Sequence, residues 1–147
     1  MKRCRKKNKT TNQLKPKIMK QKFFVPYETA RALKAAGYNE KVNGYYTKGK
    51  DDTLCIAYCE CPLNNTDQEA YGDIAAPTYH EAVDWLEGKG ILIDCTCGYD
   101  YDTKKEWYRC FVIQRERRLE DKYISNFAPT REGALNAAIL AALEVLQ

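Results

Sequence analysis

The sequence predicts an α+β protein, an antiparallel sheet with helices packed on one face, in the order α-β-β-α-β-β-(β)-α. Three observations carry that expectation. Segments of helical period alternate with paired β-favouring runs separated by Gly- and Asp-rich turns. The helical segments have start and stop residues where caps require them. A chain of 147 residues, 44% of them hydrophobic, is long and apolar enough for one domain with a real core.

The first helix is predicted over "PYETARALKAAG". Pro26 fits its first turn, Glu28 lies near the positive end of its dipole, and Gly37 suits the position just past its end. Tyr27, Ala30 and Leu33 share one side. The next segment, "GYYTKGKDDTLCIAYCEC", reads as a hairpin. Residues 62–76 read as a polar connection without periodicity. The clearest helix is "APTYHEAVDWLEGKG". Thr78 and Glu81 form a capping box, Gly88 and Gly90 stop it, and Tyr79, Ala82, Val83 and Leu86 follow a buried stripe. "ILIDCTC" and "EWYRCFVIQ" read as strands around a loop, "GYDYDTKK". "DKYISNF" reads as a short further strand. The last helix, "PTREGALNAAILAALEVLQ", takes Thr130 as its N-cap. Its apolar residues run almost all round, so it must be covered on more than one side.

Charge divides the chain. Ten of the first 22 residues are Lys or Arg and none is acidic. The overall charge of +4 therefore leaves residues 23–147 at −6. An acidic body repels phosphate backbones, so affinity for nucleic acid would come from Lys2, Arg3, Arg5, Lys6, Lys7 and Lys9. Residues 1–22 read as a disordered basic tail and residues 23–147 as the single domain. Met19 is an alternative start, which would make residues 1–18 a leader from a misplaced start. The opening has no apolar run behind its basic residues, as a secretory signal would, and the expected location is the cytoplasm.

The seven cysteines have three readings. Cys59-x-Cys61 and Cys95-x-Cys97 have the composition of a metal site, but alternate residues of a strand lie about 6.6 Å apart. Sulfurs on one zinc ion lie about 3.8 Å apart. An odd count without a secretory signal argues against disulfides. The expectation is core packing, with Cys55, Ala57, Cys59 and Cys61 on one strand face and Ile91, Ile93, Cys95 and Cys97 on another. No metal or cofactor is expected. His80, the lone histidine, has no evident catalytic partner. Neither a phosphate-binding glycine loop nor a nucleophile elbow occurs, and no catalytic residue is proposed.

The turn around Tyr99, Asp100, Tyr101 and Asp102 is the candidate contact site for a protein or small ligand, because tyrosine gives contact area at little entropic cost. The calcium-loop pattern is missing there. Leu140 and Leu143 are the candidate seam of a homodimer.

Two resemblances add to this reading. The second half has the element order of a double-stranded-RNA-binding domain, and "PTREGALNAAILAAL" is similar to that family's S-K-K-x-A-K-x-x-A-A signature. Arg131 is the only cation in the stretch, followed by Glu132 and Gly133, with Leu135 where the last lysine falls. Those lysines grip phosphate in the family, so the resemblance implies the fold more than the activity. "FVPYETARALKAAGY", "APTYHEAVDWL" and "FAPTREGALNAAILAAL", within 23–147, resemble blocks of small uncharacterised proteins of phages and integrated elements in Bacteroidetes-type bacteria. That likeness implies a mobile-element origin and brings no catalytic residues; the expected binding or regulatory role rests instead on the lack of enzyme motifs and on the acidic, tyrosine-rich body.

Overall fold

The computed structural model describes residues 21–47, 53–56, 62–69, 71–114 and 127–146. Residues 1–20 of the basic tail, with Cys4, and Cys59, Cys61 and most of the expected strand at 121–127 lie outside them, while Gln21 and Lys22 of the expected tail begin a 3-10 turn, Gln21–Phe23. Within them the α+β class holds, with antiparallel pairing throughout.

Helix α1 spans Tyr27–Ala35 and buries Thr29, Ala30 and Leu33. It closes as the sequence predicts. Gly37 has φ +91°, its N–H donates to Lys34 O, and the Tyr38 N–H donates to Leu33 O at 2.9 Å. This is a Schellman closure, with the glycine taking the left-handed conformation that a side chain would resist. It turns the chain so that Tyr38, 1% exposed, enters the core beside Leu33.

Strands β1 (Gly44–Tyr46) and β2 (Leu54–Ile56) form the expected hairpin, with Tyr45 opposite Cys55. Residues 62–76 are more structured than their composition suggests. They contain a short helix, α2 (Asn65–Glu69), and a strand, β3 (Ile74–Ala76), which pairs with the free edge of β1. The sheet order is β2-β1-β3. "IAA" has weak β propensity. Its strand is fixed by tertiary contacts: Ala75 and Ala76 are buried under α1, and the side chain of buried Asn65 accepts from Ala75 N (3.0 Å) and donates to Tyr38 O (2.7 Å). Gly44 sits where Phe24 crosses the sheet. A Cβ there would lie 2.6 Å from Ala76 O.

Helix α3 spans Tyr79–Gly88 and starts with the predicted capping box. Thr78 Oγ1 accepts from Glu81 N at 3.3 Å, and Glu81 Oε2 accepts from Thr78 N at 2.6 Å. Strands β4 (Ile91–Asp100) and β5 (Lys105–Gln114) then form a ten-pair hairpin, a second sheet separate from the first. Both run further than predicted, because the pairing carries the "GYD" segment into the ladder. Tyr108 and Ala128 exchange backbone hydrogen bonds (3.0 and 2.9 Å), so the chain returns beside β5 just past the expected third strand.

Helix α4 spans Arg131–Leu146, and Thr130 Oγ1 accepts from Gly133 N at 3.1 Å as its cap. It packs on α1, α3 and both strands of the long hairpin, which accounts for its apolar circumference. Thr29, fully buried on α1, donates to the Asn136 side chain of α4 at 2.6 Å. No helix of the described residues is long and apolar enough to cross a membrane.

The cysteine expectation needs correction. Cys95 and Cys110 face each other across the β4–β5 ladder and are joined by a disulfide. Cys97 is exposed and Cys55 is half-buried. On the Ile91-Ile93-Cys95-Cys97 face Ile91 is buried and Ile93 and Cys95 pack against the core, as does the opposing Cys110, and only Cys97 runs out beyond it. Cross-strand register, invisible in the sequence, brought the two bonded sulfurs together.

Candidate functional site

The long hairpin projects its tip away from the helices, and the tip is the predicted Tyr/Asp segment. Tyr99 and Asp100 end β4, while Tyr101 and Asp102 begin the turn. Asp100 Oδ1 accepts from Asp102 N (2.9 Å) and Thr103 N (3.2 Å), and Lys104 closes the turn at φ 54°. Hydrogen bonds from Thr103, side chain and backbone, and then from Asp102 lower the Asp100 pKa below its ordinary value. Asp100 is therefore a brace for the turn. The contact surface is the pair of tyrosines. Tyr101 is 84% exposed, Tyr99 is 47% exposed, and their rings meet edge to face at 5.3 Å. Each ring limits the other's rotamers, so part of the ordering cost of binding is already met.

The outer face of the same hairpin carries a feature that sequence reasoning missed. Gly98 faces Trp107 across the ladder, and the indole lies over the glycine where a Cβ would collide with it. Phe127 meets Trp107 edge to face at 5.2 Å. The Arg109 guanidinium lies 4.8 Å from the Phe111 ring and 5.5 Å from that of Phe127, and its Nε has no hydrogen-bond partner. Gly98 directly after a β-favouring run was the available signal, since a glycine that falls within a strand marks close approach by another group. Phe127, 63% exposed, and Ile113, 41% exposed, extend this surface.

A cleft of about 730 Å³ lies at the opposite end of the helices. Tyr27 at the start of α1, Tyr79 at the start of α3, and Thr130 and Glu132 at the start of α4 line it together with Phe24 and Tyr46. Tyr46 donates to Val25 O at 2.8 Å and packs edge to face on Tyr27 at 5.4 Å. Burial and then Glu132 raise the Tyr79 pKa. Lys22 Nζ lies 3.8 Å from Glu132 Oε1.

The other predicted residues are dispersed. His80 is exposed in the first turn of α3. Lys2, Arg3, Arg5, Lys6, Lys7 and Lys9 lie outside the described residues. Leu140 is on the surface at 36% exposure, but Leu143 is 3% exposed in the monomer's own core. The helix turns Leu143 inward, so of the two expected seam residues only Leu140 stands on the surface. Among the described residues no group of three His, Cys, Asp or Glu side chains is placed to hold a metal ion.

No protein-family model matches the chain, and neither does any curated protein or solved structure. Fold and site define an α+β protein with a projecting, tyrosine-tipped hairpin.

Proposed function

We propose that this chain is a small, non-catalytic binding protein of phage or mobile-element origin, working in the cytoplasm, that recognises a protein or small ligand. A protein partner suits it best. The observation carrying the reading is the braced pair of exposed tyrosines at the end of a ten-pair hairpin. Such a tip presents rigid aromatic area with polar hydroxyl ends, a combination enriched where proteins meet.

The test replaces both tip tyrosines with alanine (Tyr99→Ala, Tyr101→Ala). Wild type and variant are then compared in cross-linking capture from cells that carry the gene. A protein retained by the wild type and lost by the equally folded variant supports the reading. Retention that ignores the tip overturns it.

A second reading has its own observation. Trp107, Phe111, Phe127 and Arg109 form an aromatic surface around a cation, the composition on which unpaired bases stack. On that reading the protein binds nucleic acid, with the basic tail supplying phosphate contacts beside the half that resembles a double-stranded-RNA-binding domain. Retention of RNA or DNA that falls steeply with salt and with Trp107→Ala favours it. No retention at low salt eliminates it.

A further inference from the structure

We propose that the groove between the end of α1 and the flank of α3 binds the cationic side chain of a lysine- or arginine-bearing peptide. The groove has a volume of about 490 Å³. It is lined by Tyr38, Glu40 and Lys41, which follow α1, and by Glu81, Asp84, Trp85, Gly88 and Lys89 of α3 and its end. Three features converge on a positive charge.

The first is Tyr38. It is 99% buried, with 1% of its surface exposed, and its hydroxyl has no hydrogen-bond partner. Glu81 and Glu40 lie close enough to add to the effect of burial on its pKa, which is raised. A buried polar atom left unpaired costs stability, and such groups persist where function uses them. Its oxygen is sealed from water in the free chain, so an incoming ammonium or guanidinium reaches it only as the groove opens, with the carboxylates of Glu40 and Asp84 at the exposed rim.

The second is the backbone. α3 ends at this groove, with Gly88 and Lys89 in its lining, so the negative end of its dipole adds to the carboxylates there. The third is Lys89. Its Nζ stands 5.4 Å from the centre of the Trp85 ring, showing that this aromatic face accepts a cation. Lys89 is then the intramolecular occupant that a ligand displaces.

The groove is distinct from the hairpin tip, so the two readings stand or fall separately. The test titrates the full chain with a capped glycine–arginine–glycine peptide, its lysine counterpart and an uncharged norleucine control, followed by amide and indole nuclear magnetic resonance signals. The charged peptides are expected to shift Lys41, Asp84 and the Trp85 indole, and norleucine to leave them in place. Glu40→Gln with Asp84→Asn should weaken binding about tenfold, the loss of one to two charge-assisted contacts. Tyr38→Phe should weaken it about threefold while the fold grows more stable. Lys89→Met should tighten it severalfold, and Lys104→Met, the same charge change at the hairpin turn, should not. Tyr99→Ala with Tyr101→Ala should leave it unchanged. Equal shifts with norleucine, or affinity indifferent to Glu40 and Asp84, would overturn the proposal.

Discussion

Removing one oxygen atom from the core should make this protein more stable. Tyr38 is fixed at three points. The Schellman closure of α1 sets its backbone, its carbonyl accepts from Asn65 at 2.7 Å, and its ring packs edge to face on Trp85 at 5.4 Å. Tyr38→Phe leaves all three in place and deletes only the hydroxyl, which is buried without a partner. In the unfolded chain that hydroxyl is hydrated; in the folded chain it has lost water and gained nothing. An unsatisfied buried group costs about 1–3 kcal/mol, so the phenylalanine variant should gain roughly 1 kcal/mol at neutral pH. For a domain of this size that raises Tm by about 3–5 °C.

Alkali sharpens the test. Burial, then Glu81 and Glu40, raises the Tyr38 pKa above its ordinary value of 10.0. Above pH 10 the unfolded chain therefore releases a proton that the folded chain keeps. Stability falls as pH rises from there toward the folded pKa, by up to about 1.4 kcal/mol per pH unit from this group alone. Urea unfolding at pH 7 and pH 11 reads both effects. The variant should gain at pH 7 and gain more at pH 11. A variant less stable than wild type at neutral pH would refute the reasoning, since it would mean that the hydroxyl makes a net stabilising bond.

Other substitutions probe the remaining links. Gly44→Ala should lower stability by about 2 kcal/mol or more in thermal melting, because the new methyl meets the Phe24 ring and Ala76 O, and overpacking a tight site costs that much. Asn65→Ala should cost about 2–3 kcal/mol in urea unfolding, since it leaves Tyr38 O and Ala75 N buried and unpaired. Thr78→Ala should cost about 1 kcal/mol by removing the α3 cap, with α3 amides exchanging faster at the N-terminal turn. Cys95→Ala with Cys110→Ala should lower stability by about 2–3 kcal/mol, and reductant should bring the wild type to the same melting temperature.

The sequence was most informative where the controlling interactions are local. The α3 capping box joins residues three apart, so Thr78 and Glu81 could be paired on sight. The left-handed glycine closing α1 and the threonine cap of α4 are likewise short-range, and both elements fall where those signals put them. The Tyr99–Asp102 segment was legible as a contact surface because aromatic and acidic residues cluster there whatever the packing. What failed was non-local. β3 has too little β propensity to announce itself. Asn65 and the free edge of β1 make it a strand, and both lie at least nine residues away. The Trp107 surface depends on which residue faces Gly98 across the hairpin.

By itself, then, the sequence determined the α+β class, the helices with their caps, the division between a basic tail and an acidic body, and the tyrosine tip. These follow from composition and from contacts within a turn or two of chain. Tertiary structure alone decided the splitting of the strands into two sheets, the Cys95–Cys110 bond, the inward turn of Leu143, and the burial of Tyr38 against α3. Each of those depends on register or on helix rotation. A shift of one residue reverses which side chains face inward, and only the summed packing of the whole core sets that shift.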